Sequence, residues 1–491
     1  MRRLGIPLAA AALAGCVSLS PQPSAYLTSS VQPLQECAQW YEDLDARVDA
    51  SGVRDAQDTR ISGFPYLRVS RLLASFRAEA SADDARLRAL VDRMHQLDLN
   101  ARRAEIGNIP ADAAPAAARN AVIERAETCA TLMREADLAD PPARAALIER
   151  AQVPDDYSTT SRILGLYALT RIPFGWGIRE YQAQVRSAFE RDPALPPDVR
   201  VLRYSPPAAD TTGEAVASII ARASSNPLGI PQVSGRDLEQ LYAAYAPELE
   251  IEVAGDYDRF GALYWKEGAT VPAVDTSTPR VYRKLSWTRY HGRTLLQLVY
   301  TIWFSERPPA SDGDILAGLL DGVTWRVTLA PDGEPLVYDT VHPCGCYHMF
   351  FPTPRASVVP PSDDGVEFMF SPQSLPRIDP GRHTRLRIAT GTHYVERVSV
   401  VSPAEQSTVY RFAEYDELRS LPRPEGGRAS VFGTQGLIAG TERPERFLFW
   451  PMGIASAGAM RQWGRHATAF VGRRHFDDPD LLEKRFVLNV P

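Results

Sequence analysis

Apolar residues recur at three- and four-residue intervals through residues 34–190, which is the period of amphipathic α-helices. Arg, Asp and Glu occupy many of the intervening positions, as on the solvated face of a helix. Three of the apolar faces are regular, and they consist of Leu34, Cys37, Tyr41, Leu44 and Val48, of Leu87, Leu90, Val91, Met94 and Leu97, and of Val122, Ala126, Cys129 and Met133. We therefore predict that residues 34–190 form a helical domain.

Within this region, residues 163–178 are mostly apolar, although they include Arg171 and Pro173. One interpretation is a surface that enters the interface of a lipid bilayer. The other is a buried helix, a break and a second buried segment. We favour the buried interpretation, because no basic face accompanies the stretch.

The pattern changes after residues 191–236, which are rich in proline and small polar residues and are predicted to be a linker region. From residue 237 onward, apolar positions mostly alternate with a period of two, as in β-strands. Residues 296–304 are apolar on both faces, which predicts a central strand covered on both sides. A Pro-Asp-Gly turn at 331–333 between two alternating segments predicts a hairpin. Further strands are predicted at 394–401, 409–415, 447–450, 466–471 and 485–490.

These elements predict an α+β fold, with an N-terminal helical domain and a mainly antiparallel β domain over 237–491, a sandwich or a partial barrel. The 491 residues and the hydrophobic fraction of 44% suffice for two or three domains. The formal charge of −6 and the absence of a basic tract give no reason to expect a nucleic-acid partner. Residues 447–460 are uncharged but too few to span about 30 Å of hydrocarbon.

The N-terminus carries a secretory pattern: Arg2 and Arg3, an uncharged apolar run over 4–14, and small residues before Cys16. The run is too short to cross about 30 Å of hydrocarbon. Residues 13–16, Leu-Ala-Gly-Cys, resemble the lipobox of bacterial lipoproteins. The resemblance covers residues 1–16 only. It implies that residues 1–15 are removed, that lipid is attached to the sulfur of Cys16, and that the new amine is acylated. The alternative is an ordinary signal peptide with a coincidental cysteine.

Residues 16–33 are rich in serine and proline after the cysteine, and we predict a flexible tether between lipid and folded domain. Val17 follows Cys16, at a position where lipoproteins retained in the inner membrane often have aspartate. The resemblance therefore implies an outer-membrane lipoprotein whose folded part faces the periplasm.

Four further cysteines fall into two pairs, and an oxidising envelope permits disulfides. Cys37 and Cys129 lie on apolar faces of predicted helices, so packing of these helices would bring them together. We predict a Cys37–Cys129 disulfide, with two buried free thiols as the alternative. Cys344 and Cys346 form a separate local pair.

The segment His342-Pro343-Cys344-Gly345-Cys346-Tyr347-His348 places four potential metal ligands at every second residue. Thiolate and imidazole are ligands for zinc, copper and iron, and residues two apart share one face of an extended chain. The four span roughly 20 Å when extended, so a site would combine two or three of them with a remote histidine. The remote candidates are His291, His383, His393, His466 and His475.

Two alternatives to a metal site stay open at this segment: a Cys344–Cys346 disulfide or redox-cycling pair, and a packed turn without chemistry. The chain has no H-E-x-x-H, P-loop, G-x-S-x-G or C-x-x-C motif. We therefore rank first a non-catalytic envelope lipoprotein that binds an envelope protein or the cell wall. A metal-dependent or thiol-based periplasmic enzyme centred on residues 342–348 is the second hypothesis.

The lipid anchor leads to a first prediction. Replacement Cys16→Ser removes the sulfur that would carry the diacylglycerol, so the variant should lose labelling by palmitate and move from the membrane pellet to the soluble fraction. Continued labelling would contradict the assignment of Cys16. Continued sedimentation of an unlabelled variant in high salt would indicate a second attachment.

Overall fold

The apolar patterns with helical and strand periods mostly correspond to helices and strands in the computed structural model. The structure describes residues 23–110, 116–191, 198–208, 213–360, 365–379, 381–404 and 406–491. The fold is α+β, with most of the helices first and antiparallel-rich sheets after them. Cys16 and the predicted signal lie outside the described residues. None of the described helices is long and apolar enough to cross a bilayer.

The helices are α1 (Gln32–Ala50), α2 (Arg71–Ala74), α3 (Arg77–Ser81), α4 (Asp84–Asn108), α5 (Ala116–Ala139), α6 (Pro141–Arg150), α7 (Thr159–Leu164), α8 (Tyr167–Glu190), α9 (Gly213–Ala223), α10 (Gly235–Tyr245) and α11 (Arg446–Phe449). Short 3-10 helices lie at Ala25–Thr28, Asp256–Asp258, Tyr415–Arg419 and Trp450–Met452.

The strands are β1 (Thr59–Ile61), β2 (Phe64–Val69), β3 (Val201–Ser205), β4 (Glu248–Glu252), β5 (Ala262–Tyr264), β6 (Ala273–Asp275), β7 (Arg280–Tyr290), β8 (Arg293–Arg307), β9 (Gly318–Leu329), β10 (Pro335–Val341), β11 (Met349–Pro352), β12 (Ala356–Val358), β13 (His383–Ile388), β14 (Val395–Val401), β15 (Thr408–Val409), β16 (Arg411–Glu414), β17 (Leu421–Pro422), β18 (Arg428–Ala429) and β19 (Phe486–Leu488).

Helices α1 to α6 pack around one apolar core in the N-terminal region. The predicted faces of α1 and α4 are buried, apart from Leu34 and Leu97, which are half-buried. The last two residues of the α1 face lie in a smaller adjoining cluster, which consists of Leu44, Val48, Ile106 and Ile109. Cys37 on α1 and Cys129 on α5 lie with their sulfurs 2.08 Å apart, as in a disulfide. The hairpin β1–β2 also lies in this region, which we had predicted to be wholly helical. Its strands are too short for the period of two to stand out.

The β region contains a six-stranded sheet in the order β11-β10-β9-β8-β7-β16 and a five-stranded sheet in the order β14-β13-β4-β3-β15. Pairs are antiparallel except β16–β7, β13–β4 and β15–β3. Residues of both sheets share one core with α9 and α10. Strand β8 lies inside the larger sheet and is buried on both faces, as its sequence predicted.

The proline-rich stretch 191–236 is more structured than a linker, because it contains β3, α9 and the start of α10. Apolar residues of β3 and α9 enter the core of the β region. The predicted tether also ends early: Tyr26 donates a 2.8 Å hydrogen bond to Asp137 on α5.

Two of the predicted strands are wrong. Residues 447–450 begin in α11 and pass into a 3-10 helix, and residues 466–471 form a loop that pairs only through an isolated bridge between Ala467 and His475. Both stretches are short and apolar, and such stretches do not distinguish a strand from a loop or helix that packs on a core.

The preferred interpretation of residues 163–178 is also wrong, because the stretch is not buried. It forms the end of α7 and the first half of α8, which continues through Pro173. Its large side chains are mostly exposed, with Leu164 at 71% and Trp176 at 63%.

A cluster of charges joins the N-terminal region to the end of the chain. Arg71 of α2 donates to Asp156 at 2.8 Å and to Asp477 at 3.1 Å. The buried ring of His475 lies 3.4 Å from Asp156 and 3.5 Å from Asp478. Burial alone would lower the pKa of His475, but hydrogen bonds with Asp156 and Asp478 outweigh it and raise the pKa to about 9.

This junction predicts a pH dependence of stability. A raised folded-state pKa stabilises the protein fully below the unfolded value near 6.5, and the stabilisation is lost as the pH rises through about 9. Relative to His475→Gln, the wild type should gain about 3 kcal/mol of unfolding free energy near pH 6, and much of this gain should vanish above pH 9. Urea unfolding of both proteins measures it. A difference that is independent of pH would contradict a charged His475.

Candidate functional site

The His342–His348 segment leaves strand β10 and turns back on itself. The N–H of His342 donates to the carbonyl of Cys346 at 3.0 Å, and the N–H of Gly345 donates to the carbonyl of His342 at 2.8 Å. Gly345 has φ +87°, and a Cβ there would lie 2.5 Å from the carbonyl oxygen of Ala467. Only glycine fits this turn, which presses the segment against the loop 466–470.

The two histidines of the segment bind different carboxylates. Nδ1 of His342 lies 3.2 Å from Asp321, whose other oxygen lies 3.0 Å from His393. Nε2 of His348 lies 2.9 Å from Asp339. Burial lowers the pKa of His348 to about 4 against the opposing effect of Asp339, so its ring is neutral at pH 7.

The two cysteines of the segment lie together. Cys344 is buried and Cys346 is half-buried, and the N–H of Cys346 donates to the sulfur of Cys344 at 3.4 Å. The hydrogen bond between the two thiols and burial raise the pKa of Cys346 well above its usual range. A protonated thiol is a poor nucleophile and a poor metal ligand.

The structure does not bring the four side chains of the proposed metal site together. In the described part of the chain, no group of three or more His, Cys, Asp or Glu side chains could hold a metal ion. Among the remote histidines, His466 contacts the segment through the backbone of Pro343, and burial lowers its pKa to about 3. His393 and His475 are held by aspartates, and His291 is exposed beside Glu483.

A cavity of about 490 Å³ lies between helix α8 and the β region. Helix α8 contributes one wall with Phe174, Ile178 and Tyr181. The opposite wall consists of the turn and two loops, with Cys344, Cys346, Tyr347, Ile454, Ala457, Ala467, Ala469 and Phe470. The rings of Phe174 and Phe449 meet at 5.5 Å, and those of Phe449 and Phe470 at 4.6 Å. The lining is therefore mainly apolar and aromatic.

Burial disfavours ionisation of several titratable groups on the cavity wall. Burial raises the pKa of Tyr181 and Tyr347 well above the usual range, and it raises the pKa of Glu445. The charged pair on the wall is internally compensated, because Arg474 contacts Glu367 at 3.2 Å. A ligand in this cavity would therefore meet little uncompensated charge.

Arg162 on α7, the helix that precedes the α8 wall, contacts two loops of the β region. Its Nε donates to the carbonyl of Met452 at 2.8 Å, and its Nη2 donates to the carbonyl of Gly472 at 2.6 Å. Tyr167 accepts from the N–H of Gly472 at 2.7 Å. The bend between α7 and α8 at Gly165 lies so close to Pro451 that a Cβ would come within 2.6 Å of it.

The sequence contained a signal for the α8 wall that our prediction did not use. Phe174, Ile178 and Tyr181 follow helical spacing toward the cavity, while Leu169, Ile172 and Trp176 follow it on the exposed side. A helix that is apolar on opposite faces is buried on both sides or contacts lipid.

Comparison of the chain with protein-family models, with curated proteins and with solved structures found no match. The function of the site therefore follows from its geometry and chemistry alone.

The paired cysteines lead to a prediction about oxidation. A mild thiol oxidant should join Cys344 and Cys346 in one molecule, with loss of one hydrogen from each, because their thiols are in contact. Only the thiolate reacts, so the rate should rise about tenfold per pH unit below the raised pKa. Mass spectrometry of alkylated protein measures it, and Cys346→Ser is the control without a ring.

If both cysteines stay alkylatable after oxidation, the thiol-redox alternative fails. The metal alternative has its own measurement, elemental analysis of protein prepared under reducing conditions with zinc, copper and iron each supplied. It requires near-stoichiometric metal that is lost when both cysteines are replaced by serine.

Proposed function

We propose that this protein is a lipid-anchored envelope lipoprotein that binds an apolar ligand in the cavity between α8 and the β region. The anchor is the lipid on Cys16, and the folded part faces the periplasm from the outer membrane. The observation that carries the ligand proposal is the apolar cavity of about 490 Å³.

The size of the cavity supports a binding role. Ligand sites occupy about 300–1,000 Å³ and are lined mainly by apolar and aromatic groups, with a few polar groups that orient the ligand. Here the polar groups include Tyr181, Tyr347 and Tyr394, whose rings lie within 6.2 Å of one another. A chain-like apolar molecule, such as an acyl chain, fits this distribution.

The protonation states of the wall support binding over catalysis. General acid–base and nucleophilic catalysis need groups that change protonation state near neutral pH. The pKa of His348 is instead about 4, and the pKa of Cys346 is raised well above its usual range. The wall is thus suited to solvate an uncharged ligand.

Thiol-redox chemistry is the second candidate, because the two thiols contact each other on the cavity wall. A metal site at the same segment is less favoured. Asp321 and Asp339 each hold only one ring nitrogen of His342 and His348, so they do not block ligation. The metal would, however, need deprotonated thiols, and no three ligand side chains of the described residues are brought together.

Two glycines of α8 provide a matched test of the cavity. Gly177 lines the cavity with no atom within 4 Å of a Cβ, whereas Gly175 does not line it. Gly177→Phe should place a ring in space that the ligand would occupy, so affinity for the uncharged dye N-phenylnaphthylamine should fall about tenfold, which is about 1.4 kcal/mol of binding free energy. Fluorescence titration measures it.

Gly175→Phe is the control, because both substitutions remove a helical glycine and should change helix stability alike. It should bind the dye like the wild type. Equal dye binding by all three proteins would place the dye elsewhere and contradict the proposed ligand site. Mass spectrometry of lipid extracts from the purified protein then identifies the natural ligand class.

A further inference from the structure

Large apolar side chains are unusually concentrated around the mouth of the cavity. Among the described residues, half of the large apolar side chains that are exposed lie on two short segments. These nine side chains are Ile163, Leu164, Leu166, Leu169, Ile172, Trp176, Phe447, Leu448 and Trp450. We call them the apolar face. Contiguous exposed apolar surface of this kind marks an interaction site.

The two segments of the apolar face are neighbours in space. The rings of Phe174 and Phe449, one from each segment, meet at 5.5 Å. Gly165 packs against Pro451, directly after Trp450. The two segments that carry the face are therefore packed against each other.

The cavity opens at this face. Leu448 belongs to the apolar face at 53% exposure and also lines the cavity. Pro173 and Gly177 are exposed on α8 and line the cavity as well. A molecule that covers the face is therefore in direct contact with the cavity mouth.

We propose that the apolar face rests on the phospholipid bilayer and that the ligand enters the cavity from the bilayer as an acyl chain. This deepens the proposed function and rests on it, because it names the class of ligand and its source. It does not depend on the lipid at Cys16, since the face would contact the bilayer by its own side chains.

The α7–α8 segment of the face has no continuous basic face, but it carries a small positive charge that suits anionic lipids. From Thr159 to Arg179 the chain contains three arginines and no acidic residue, and Glu180 at the end of the segment is its only acidic side chain. Arg162 is used in the contact with the loops, while Arg171 and Arg179 are exposed. Each cation near an anionic surface strengthens binding severalfold.

Aromatic residues at the face point to the same occupant. Trp176 and Trp450 are both exposed, and tryptophan is enriched where protein meets the boundary between lipid headgroups and acyl chains. A second copy of this chain is a poorer occupant, because a symmetric contact would place Arg171 and Arg179 of both copies, four cations, in one apolar interface.

Vesicle sedimentation tests the proposal with the full chain carrying Cys16→Ser, so that lipid on the protein does not contribute. The added double change Leu169→Asp and Trp176→Ser should weaken binding to phosphatidylglycerol–phosphatidylethanolamine vesicles at least about tenfold. Val487→Asp is the matched control, because Val487 is equally exposed at 63% but lies on β19. It should bind like the parent.

Charge is tested separately with Arg171→Glu and Arg179→Glu. This pair should weaken binding to the anionic vesicles severalfold and leave the weak binding to phosphatidylcholine vesicles little changed. Loss of binding to both kinds of vesicle in equal measure would overturn the role assigned to these charges.

Dye titration without vesicles separates this proposal from the ligand site. Neither Leu169 nor Trp176 lines the cavity, so their double variant should keep its affinity for N-phenylnaphthylamine while losing vesicles. If the double variant binds both vesicles and dye as the parent does, the proposed bilayer contact is overturned, whereas the proposed ligand site in the cavity is unaffected. A double variant that changes only the oligomeric state assigns the face to a second copy and also overturns it.

Discussion

The cavity depends on a buried guanidinium that has no carboxylate partner among the described residues. Arg162 donates to carbonyls of two separate loops, at Met452 and Gly472, and lies over the rings of Tyr157 and Tyr167 at 4.7 and 4.4 Å. A buried cation is costly unless every donor is satisfied. The contact therefore fixes the two loops relative to α7, and the space between them and α8 becomes the cavity.

This arrangement gives helix α8 two apolar surfaces. The inner one faces the cavity, and the outer one faces away from the protein with Leu169, Ile172 and Trp176. The hydrophobic effect disfavours such exposure in water, at about 25 cal/mol for each Å² of apolar surface. Contact with a bilayer would remove that cost, and the bilayer would also supply lipid acyl chains for the cavity on the inner side of α8. The apolar face and the cavity are thus parts of a single proposal that does not depend on the lipid at Cys16.

Local periodicity predicted those helices and strands whose structure depends mainly on the spacing of apolar residues within the element itself. The faces of α1 and α4, the central strand β8 and the hairpin at 331–333 follow from spacing alone. Long-range contacts decided the rest. Whether residues 163–178 are buried depends on the loops that Arg162 reaches, hundreds of positions away. The spacing at 342–348 suggested one shared face, but His342 and His348 bind aspartates on different strands, and neither partner is visible in the motif.

The low polarity of the cavity, which suits an acyl chain, also affects the protonation of the two thiols on its wall. Burial and the contact with Cys344 keep Cys346 protonated, and a protonated thiol does not attack a disulfide or bind a metal well. Cys346 lies on the cavity wall, so a ligand in the proposed site would cover it. Under the proposed function, a bound ligand would therefore hinder thiol chemistry in the same molecule. If the proposed function is right, an occupied cavity would protect the pair from oxidants and an empty one would not, so the redox state of Cys344 and Cys346 would report how often the cavity is filled.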